Sequence, residues 1–167
     1  TALLDAGAGA NTEMRGGESV LMTAARTGRP GPVAKLLAKG AQIGAKDRKG
    51  QTAIMWAAAE GHEEVIALLI KSGADFRARL KSGFTPLLFA AREGRIGAVR
   101  TLLKAGADAN DAIVTEQKPG GREPSNGTGA LLLAVENGHF ELAMMLVKAR
   151  ANPNDLRSGF TPLHVLS

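Results

Sequence analysis

The chain has 167 residues, 44% of them hydrophobic, which is enough apolar material for a buried core and argues against bulk disorder. Basic residues outnumber acidic ones by 21 to 16, and this mild excess of +5 suggests an acidic partner without demonstrating one. The absence of Cys excludes a disulfide framework, a thiolate zinc site and a cysteine nucleophile, and no uncharged apolar run approaches the roughly 18 residues of a membrane span.

Glycine recurs along the chain with a period of 33 residues. Three registers share this period, and they are Gly17, Gly50 and Gly83; Gly28, Gly61 and Gly94; and Gly40, Gly73 and Gly106. Agreement among three registers predicts a structural unit that is repeated along the chain.

Each unit predicts two helices followed by a projecting turn. Thr stands at the predicted start of the first helix in several units, where its hydroxyl can cap the helix, and Pro can follow because its missing N–H costs nothing there. These residues are Thr52, Thr85 and Thr161, with Pro86 and Pro162. A Gly of the second register ends the first helix and a Gly of the third register ends the second helix. About ten residues then lead to the next unit, too few for a third helix.

Two segments of the chain resemble the ankyrin repeat signature. They are Gly83-Phe-Thr-Pro-Leu-Leu-Phe-Ala-Ala-Arg-Glu-Gly94 and Gly159-Phe-Thr-Pro-Leu-His164, and the Gly-His pairs at 61–62 and 138–139 agree with them. The resemblance covers nearly the whole chain. It implies an all-α ankyrin-repeat solenoid, in which helix-turn-helix units stack and β-hairpin-like loops project at a right angle.

The pattern divides the chain into a single array. A truncated repeat covers 1–16, full repeats cover 17–49, 50–82 and 83–110, an insertion loop covers 111–126, a further repeat covers 127–158 and a partial repeat covers 159–167. The insertion follows from spacing, because Gly127 lies 44 residues after Gly83, 11 more than the period. We interpret it either as a tolerated, mobile extension of a loop or as a specific contact element.

Three positions depart from the repeat pattern. Ser19-Val20 and Gly129-Ala130 replace Thr-Pro, so we expect weaker helix starts in those two repeats. Arg150 stands where other repeats have Gly, so we expect that helix end to be distorted or extended.

No residue pattern predicts catalysis, a cofactor or a metal site. His62 and His139 occupy the same position in repeats that are two apart, so their rings should lie roughly 20 Å apart, too far to share a metal. The resemblance gives His164 a structural role. Glu60, Glu63 and Glu64 cluster at a helix entry, where their charges complement the helix dipole.

In the ankyrin family, partners usually meet the loop tips and the outward face of the first helices. By position, the resemblance implies that partner-binding residues are Arg48, Lys49, Gln51, Lys81, Ser82, Phe84, Arg92, Arg157 and Phe160. Neighbouring positions on the same surface are Arg15, Arg26, Thr27, Ala59, Glu60, Glu93 and Ser158. We expect Phe84 and Phe160 to be exposed beside Arg, as in an interface hot spot.

Alternative interpretations of these residues stay open. The basic loops could serve only to keep the array soluble and to prevent copies from stacking on one another. Phe84 could fold back onto its own loop, and Trp56 and Phe89 are expected in the core.

The resemblance predicts a non-catalytic scaffold that binds a partner protein, acidic or mixed in charge, through its concave face and basic loop tips. The alternative is a regulatory or targeting segment of a longer enzyme. Nucleic acid is a weak alternative, because the charges are interspersed and stacking aromatics are few. We expect no small-molecule substrate, no membrane span and a monomer. The residues leave the location unknown, with the cytoplasm only as a default.

Overall fold

The computed structural model describes residues 9–14, 16–116, 124–159 and 161–162. This part of the chain contains eight helices in four consecutive pairs. The pairs are α1 (Val20–Arg26) with α2 (Pro30–Ala38), α3 (Ala53–Glu60) with α4 (Glu63–Lys71), α5 (Pro86–Arg92) with α6 (Ile96–Lys104), and α7 (Ala130–Glu136) with α8 (Phe140–Lys148). Arg15, Phe160 and His164 lie outside the described residues, so the predictions for them stay predictions.

The helix pairs stack in one direction. The first helices α1, α3, α5 and α7 contact one another in that order, and the second helices α2, α4, α6 and α8 do the same. Each layer therefore touches its neighbours along the array, which is the architecture of a solenoid. The predicted all-α solenoid of helix-turn-helix units is confirmed.

Alanine fills the contact between successive first helices. Its small side chain lets helices approach closely, so these positions become fully buried without rings or long chains. The alanines with 0% exposure on first helices are Ala25, Ala57, Ala58, Ala90, Ala91, Ala130 and Ala134. The second helices close the core with branched apolar residues, such as Val65 and Leu69 on α4 and Val99 and Leu102 on α6.

The helix starts differ from expectation at one of the two irregular repeats. Ser19 caps α1, because its Oγ accepts a hydrogen bond from Met22 N at 3.2 Å and its own N donates to Met22 Sδ at 3.4 Å. The expectation of a weak start is therefore wrong for α1. Gly129 gives α7 no side-chain cap, as expected, while Thr85 caps α5 through Leu88 N at 3.4 Å. Thr52 makes no side-chain capping bond to α3.

The helix ends follow the glycine registers. Gly94 illustrates why a side chain is excluded there, because its φ is +67° and a Cβ would lie 2.6 Å from Nδ1 of His139 in the next repeat. Arg150 adopts the same left-handed conformation, with φ of 68°, and α8 has nine residues like α2, α4 and α6. The expectation of a distorted or extended end is therefore wrong.

The turns between repeats close with one recurring hydrogen bond. Asp47 N donates to Gln51 O at 3.0 Å, and Leu80 N donates to Phe84 O at 2.9 Å. In the next turn Ile113 N donates to Thr128 O at 2.9 Å across a segment that is 11 residues longer. The base of the turn is therefore preserved, and in the sequence the extra residues fall between Ile113 and Gly127.

The side chains of His62, Arg95 and His139 tie successive repeats together. His62 Nε2 donates to Arg26 O at 2.9 Å, Arg95 Nε donates to Ala59 O at 3.0 Å, and His139 Nε2 donates to Arg92 O at 3.0 Å. Each carbonyl belongs to the last turn of the preceding first helix, where no backbone N–H of the same helix can reach it. The side chain at this position therefore donates a hydrogen bond to a backbone carbonyl at the end of the preceding first helix.

Candidate functional site

A groove of about 470 Å³ opens where two projecting turns meet the first-helix face. We call it the basic groove. Six of the nine predicted partner-binding residues line it, and they are Lys49, Gln51, Lys81, Ser82, Phe84 and Arg92. They come from the turn at 47–51, the turn at 80–84 and the last residue of α5, so the repeat spacing brings together side chains that are up to 43 residues apart.

Sequence reasoning did not assign three further lining residues to this site. Leu80 and Phe89 add apolar surface to the groove, and Pro124 contributes from the far side of the extended turn. Leu80 could have been found from the register, because it closes the same turn as Phe84. Pro124 could not, since the inserted residues have no counterpart in another repeat.

Phe84 is 7% exposed, so the prediction of an exposed ring at this position is wrong. Its ring centroid lies 5.0 Å from that of Phe89, which is also 7% exposed, and the two rings are tilted by 37°. The ring thus packs against α5 of its own repeat. Phe89 joins the core as predicted, and Trp56 is half-buried against it. Phe84 is therefore part of the groove floor.

Arg92 lies over both phenyl rings. Its guanidinium carbon is 4.9 Å from the Phe84 centroid and 5.2 Å from the Phe89 centroid, within the range of cation–π attraction. Its Nε donates to Glu93 Oε1 at 2.9 Å. Neither Nη atom donates a hydrogen bond to another residue in the described ranges. The rings and Glu93 thus orient the guanidinium, and its two Nη atoms are available to donate hydrogen bonds to a ligand.

Two exposed lysines flank Arg92 across the groove. Lys49 and Lys81 form no ion pair with any residue that the structure describes, and no carboxylate is among the residues that line the groove. Three cations around a concave surface concentrate positive potential there. The groove is therefore suited to a negatively charged ligand.

A hydrogen-bond network fixes the wall of the groove to the base of the extended turn. Asp111 accepts from Arg79 Nη2 at 2.5 Å and from the Thr85 hydroxyl at 2.6 Å. Arg79 Nη1 also donates to the carbonyls of Gly83 and Ala112, each at 2.7 Å. Because the network crosses from one repeat to the next, it holds the turn at 80–84 against its neighbour.

Arg48 and Arg157 lie outside the basic groove. Arg48 is exposed and lies in the turn at 47–51. Its backbone N donates to Gly16 O at 3.2 Å. Arg157 lies in the last turn, where its Nε donates to Asp155 Oδ2 at 2.8 Å and its Nη2 donates to Asn110 O at 2.7 Å. The side-chain hydrogen bond from Arg157 to Asp155 lowers the pKa of Asp155 below its ordinary value. The predicted residues therefore do not form one continuous patch.

Neither a metal cluster nor a membrane-spanning helix is found in the described part of the chain. No three His, Asp or Glu side chains converge there in a way that could hold a metal ion. None of the helices is both long enough and apolar enough to cross a bilayer.

Comparison with known proteins supports the repeat assignment. A family model described as "Ankyrin repeats (3 copies)" matches residues 1–79 and 21–113, and one described as "Ankyrin repeat" matches residues 126–157. The interval between these matches coincides with the longer turn tip between Ile113 and Gly127. A search of curated proteins gives no match. Ankyrin repeats generally mediate protein–protein interaction and are typically non-catalytic. On its sequence matches and its stacked helix pairs, this chain belongs to the ankyrin repeat family.

Proposed function

We propose that the chain is a non-catalytic interaction module whose basic groove binds an acidic segment of a partner protein. The observation that carries this proposal is the convergence of Lys49, Lys81 and Arg92 around one concave surface whose described lining contains no carboxylate. Complementary charge raises the rate of encounter and selects against basic partners.

The floor of the groove supplies the apolar component of binding. Phe84, Phe89 and Leu80 line it together with the cations. Aromatic residues and Arg are enriched in the energetically dominant part of protein interfaces. Phe84 thus contributes as a fixed surface beneath Arg92, and not as a protruding anchor.

Arg48 and Arg157 have a different role in this proposal. Arg48 is exposed beside the groove, and Arg157 is held in the last turn by Asp155. The exposed charge of Arg48 steers a partner toward the array, and its effect declines as salt is added, whereas the charge of Arg157 is offset by Asp155. We propose that the module acts as a monomer, because one chain carries the complete groove.

The test is selection of binding peptides from a random dodecapeptide library displayed on phage. Peptides that bind in the groove should lose at least tenfold in affinity, about 1.4 kcal/mol, when the protein carries Lys49→Glu and Lys81→Glu. The matched control is Lys71→Glu with Lys104→Glu, the same charge change at exposed ends of the second helices α4 and α6. Equal losses in both variants, or none in the groove variant, would contradict binding in the groove.

A further inference from the structure

We infer that Arg92 recognises one carboxylate side chain of an extended peptide that lies in the basic groove. This inference rests on the proposed function and makes it specific, because it names the residue that selects the ligand and the chemical group that is selected.

The guanidinium of Arg92 is oriented by the groups around it. Phe84 and Phe89 lie beneath the cation at 4.9 and 5.2 Å, and Glu93 occupies its Nε. What remains for a ligand is the Nη edge, from which a guanidinium can donate to the two oxygens of a carboxylate. Because the side chain is already fixed, little rotamer entropy is lost when the ligand binds.

The charge around the Nη edge favours an anion. Glu93 offsets part of the charge of Arg92, but it lies outside the groove lining, whereas Lys49 and Lys81 are within it. A carboxylate at Arg92 therefore has two additional cations in the lining, and none of the described lining residues is a carboxylate that would repel it. An uncharged amide of the same size gains none of this attraction.

The other repeats do not reproduce the surroundings of Arg92. The positions equivalent to Arg92 are Arg26, Ala59 and Glu136. Arg26 lies over Trp56 at 5.3 Å, but its Nη1 is 3.9 Å from Glu18 Oε2, so a carboxylate already lies at the edge that Arg92 leaves open. Ala59 carries no charge, and Glu136 reverses the charge in the repeat that contains α7. Among the four described helix pairs, α5 is thus the first helix that ends in an Arg with its Nη edge open.

The experiment compares three sets of synthetic dodecapeptides that share the same random positions and contain no other acidic residue. The sixth residue is Glu in one set, Gln in the second and phosphoserine in the third. Each set is probed with the wild-type protein, Arg92→Gln, Arg92→Lys and the control Arg100→Gln, which removes an exposed Arg from α6. Affinities of the best sequences are then measured by fluorescence anisotropy.

We expect the wild-type protein and Arg100→Gln to prefer the Glu peptides over their Gln counterparts by at least tenfold. Arg92→Gln should lose this preference, and Arg92→Lys should lose most of it, because an ammonium cannot form the paired hydrogen bonds. Circular dichroism and the fluorescence of Trp56 check that each variant is folded.

The outcomes separate this inference from the proposed function. Peptides that bind without preference for Glu, or a Glu preference that survives in Arg92→Gln, would overturn the inference and leave the groove as a binding site. Stronger binding of phosphoserine than of Glu would overturn the carboxylate assignment. If no peptide of any set binds, both the inference and the proposed function are overturned.

Discussion

Asn110 reaches into the next repeat, where its Oδ1 accepts a hydrogen bond from Asn152 N at 2.7 Å. Its Nδ2 donates to Arg150 O at 3.2 Å, so one amide satisfies both a donor and an acceptor of the following turn. Asn11 makes the same pair of bonds, accepting from Gln42 N at 2.8 Å and donating to Gly40 O at 3.1 Å. The equivalent position recurs every 33 residues, and Gly44 occupies it one repeat after Asn11.

We predict that Gly44→Asn stabilises the array. By register its amide would bond to Gly73 O and Asp75 N, and a Cβ at Gly44 would meet no atom within 4 Å. Two hydrogen bonds of about 0.5–1.5 kcal/mol each should raise the free energy of unfolding by about 1–3 kcal/mol. The measurement is urea unfolding followed by the fluorescence of Trp56, the only Trp in the chain. Gly44→Ala is the control for backbone entropy, and an equal gain in both variants would refute the hydrogen bonds.

We predict that Ala78→Asp also stabilises the array. The hydroxyl of Thr52 is buried without a hydrogen-bond partner, whereas its counterpart Thr85 donates to Asp111 at 2.6 Å. Ala78 stands at the position of Asp111 one repeat earlier, and Lys46 stands at the position of Arg79. An Asp at 78 should therefore pair with Thr52 and add about 1 kcal/mol to the free energy of unfolding.

A double-mutant cycle checks the mechanism of that gain. In a Thr52→Val background the hydroxyl is absent, so Ala78→Asp should no longer stabilise the protein. A gain of the same size in both backgrounds would mean that the new carboxylate acts through another contact.

We predict that Asp155→Asn destabilises the protein at neutral pH and not in strong acid. Hydrogen bonds from Arg157 hold the pKa of Asp155 below its ordinary value of 3.8. A carboxyl whose pKa is lowered by folding contributes stability above the unfolded-state value, and that stability is lost as the pH falls through the folded-state pKa. The pair is partly exposed, so we expect a loss of up to about 1 kcal/mol. Urea unfolding at pH 7 and pH 2 measures it, and a loss that is equal at both would contradict the ionic origin.

We predict the opposite pH dependence for Glu136→Gln. Desolvation raises the pKa of Glu136 above its ordinary value of 4.5, so its charged form opposes folding. It is also the last residue of α7, where a negative charge faces the negative end of the helix dipole. The folded state binds the proton more tightly, so stability falls as the pH rises from 4.5 through the folded-state pKa.

The substitution should therefore raise the free energy of unfolding at pH 7 by about 0.3–1 kcal/mol. Below pH 4.5 the difference should shrink as the native carboxyl becomes protonated. Stability curves of both proteins from pH 3 to pH 7 measure this, and a variant that is less stable at pH 7 would contradict the prediction.

The amino-acid sequence by itself determined the repeat, its helices and their ends. Helix caps and glycines act through local backbone geometry. Their 33-residue spacing can therefore be recognised in the sequence without knowing which segments pack together. The same spacing placed basic residues on consecutive turns, and six of the nine predicted site residues do converge in the groove. Even Arg150 ends its helix where a Gly was expected, because the register continues through it.

Only the tertiary structure decided what each of those residues faces. Phe84 is buried because Phe89 and Arg92 pack on it, and neither contact follows from its place in a turn. Asp111 meets Arg79, which is 32 residues away, and Pro124 reaches the groove from an extension with no counterpart elsewhere. Periodicity specifies which elements form and in what order, whereas exposure and side-chain orientation depend on neighbours in adjacent layers that pack only when the array is assembled.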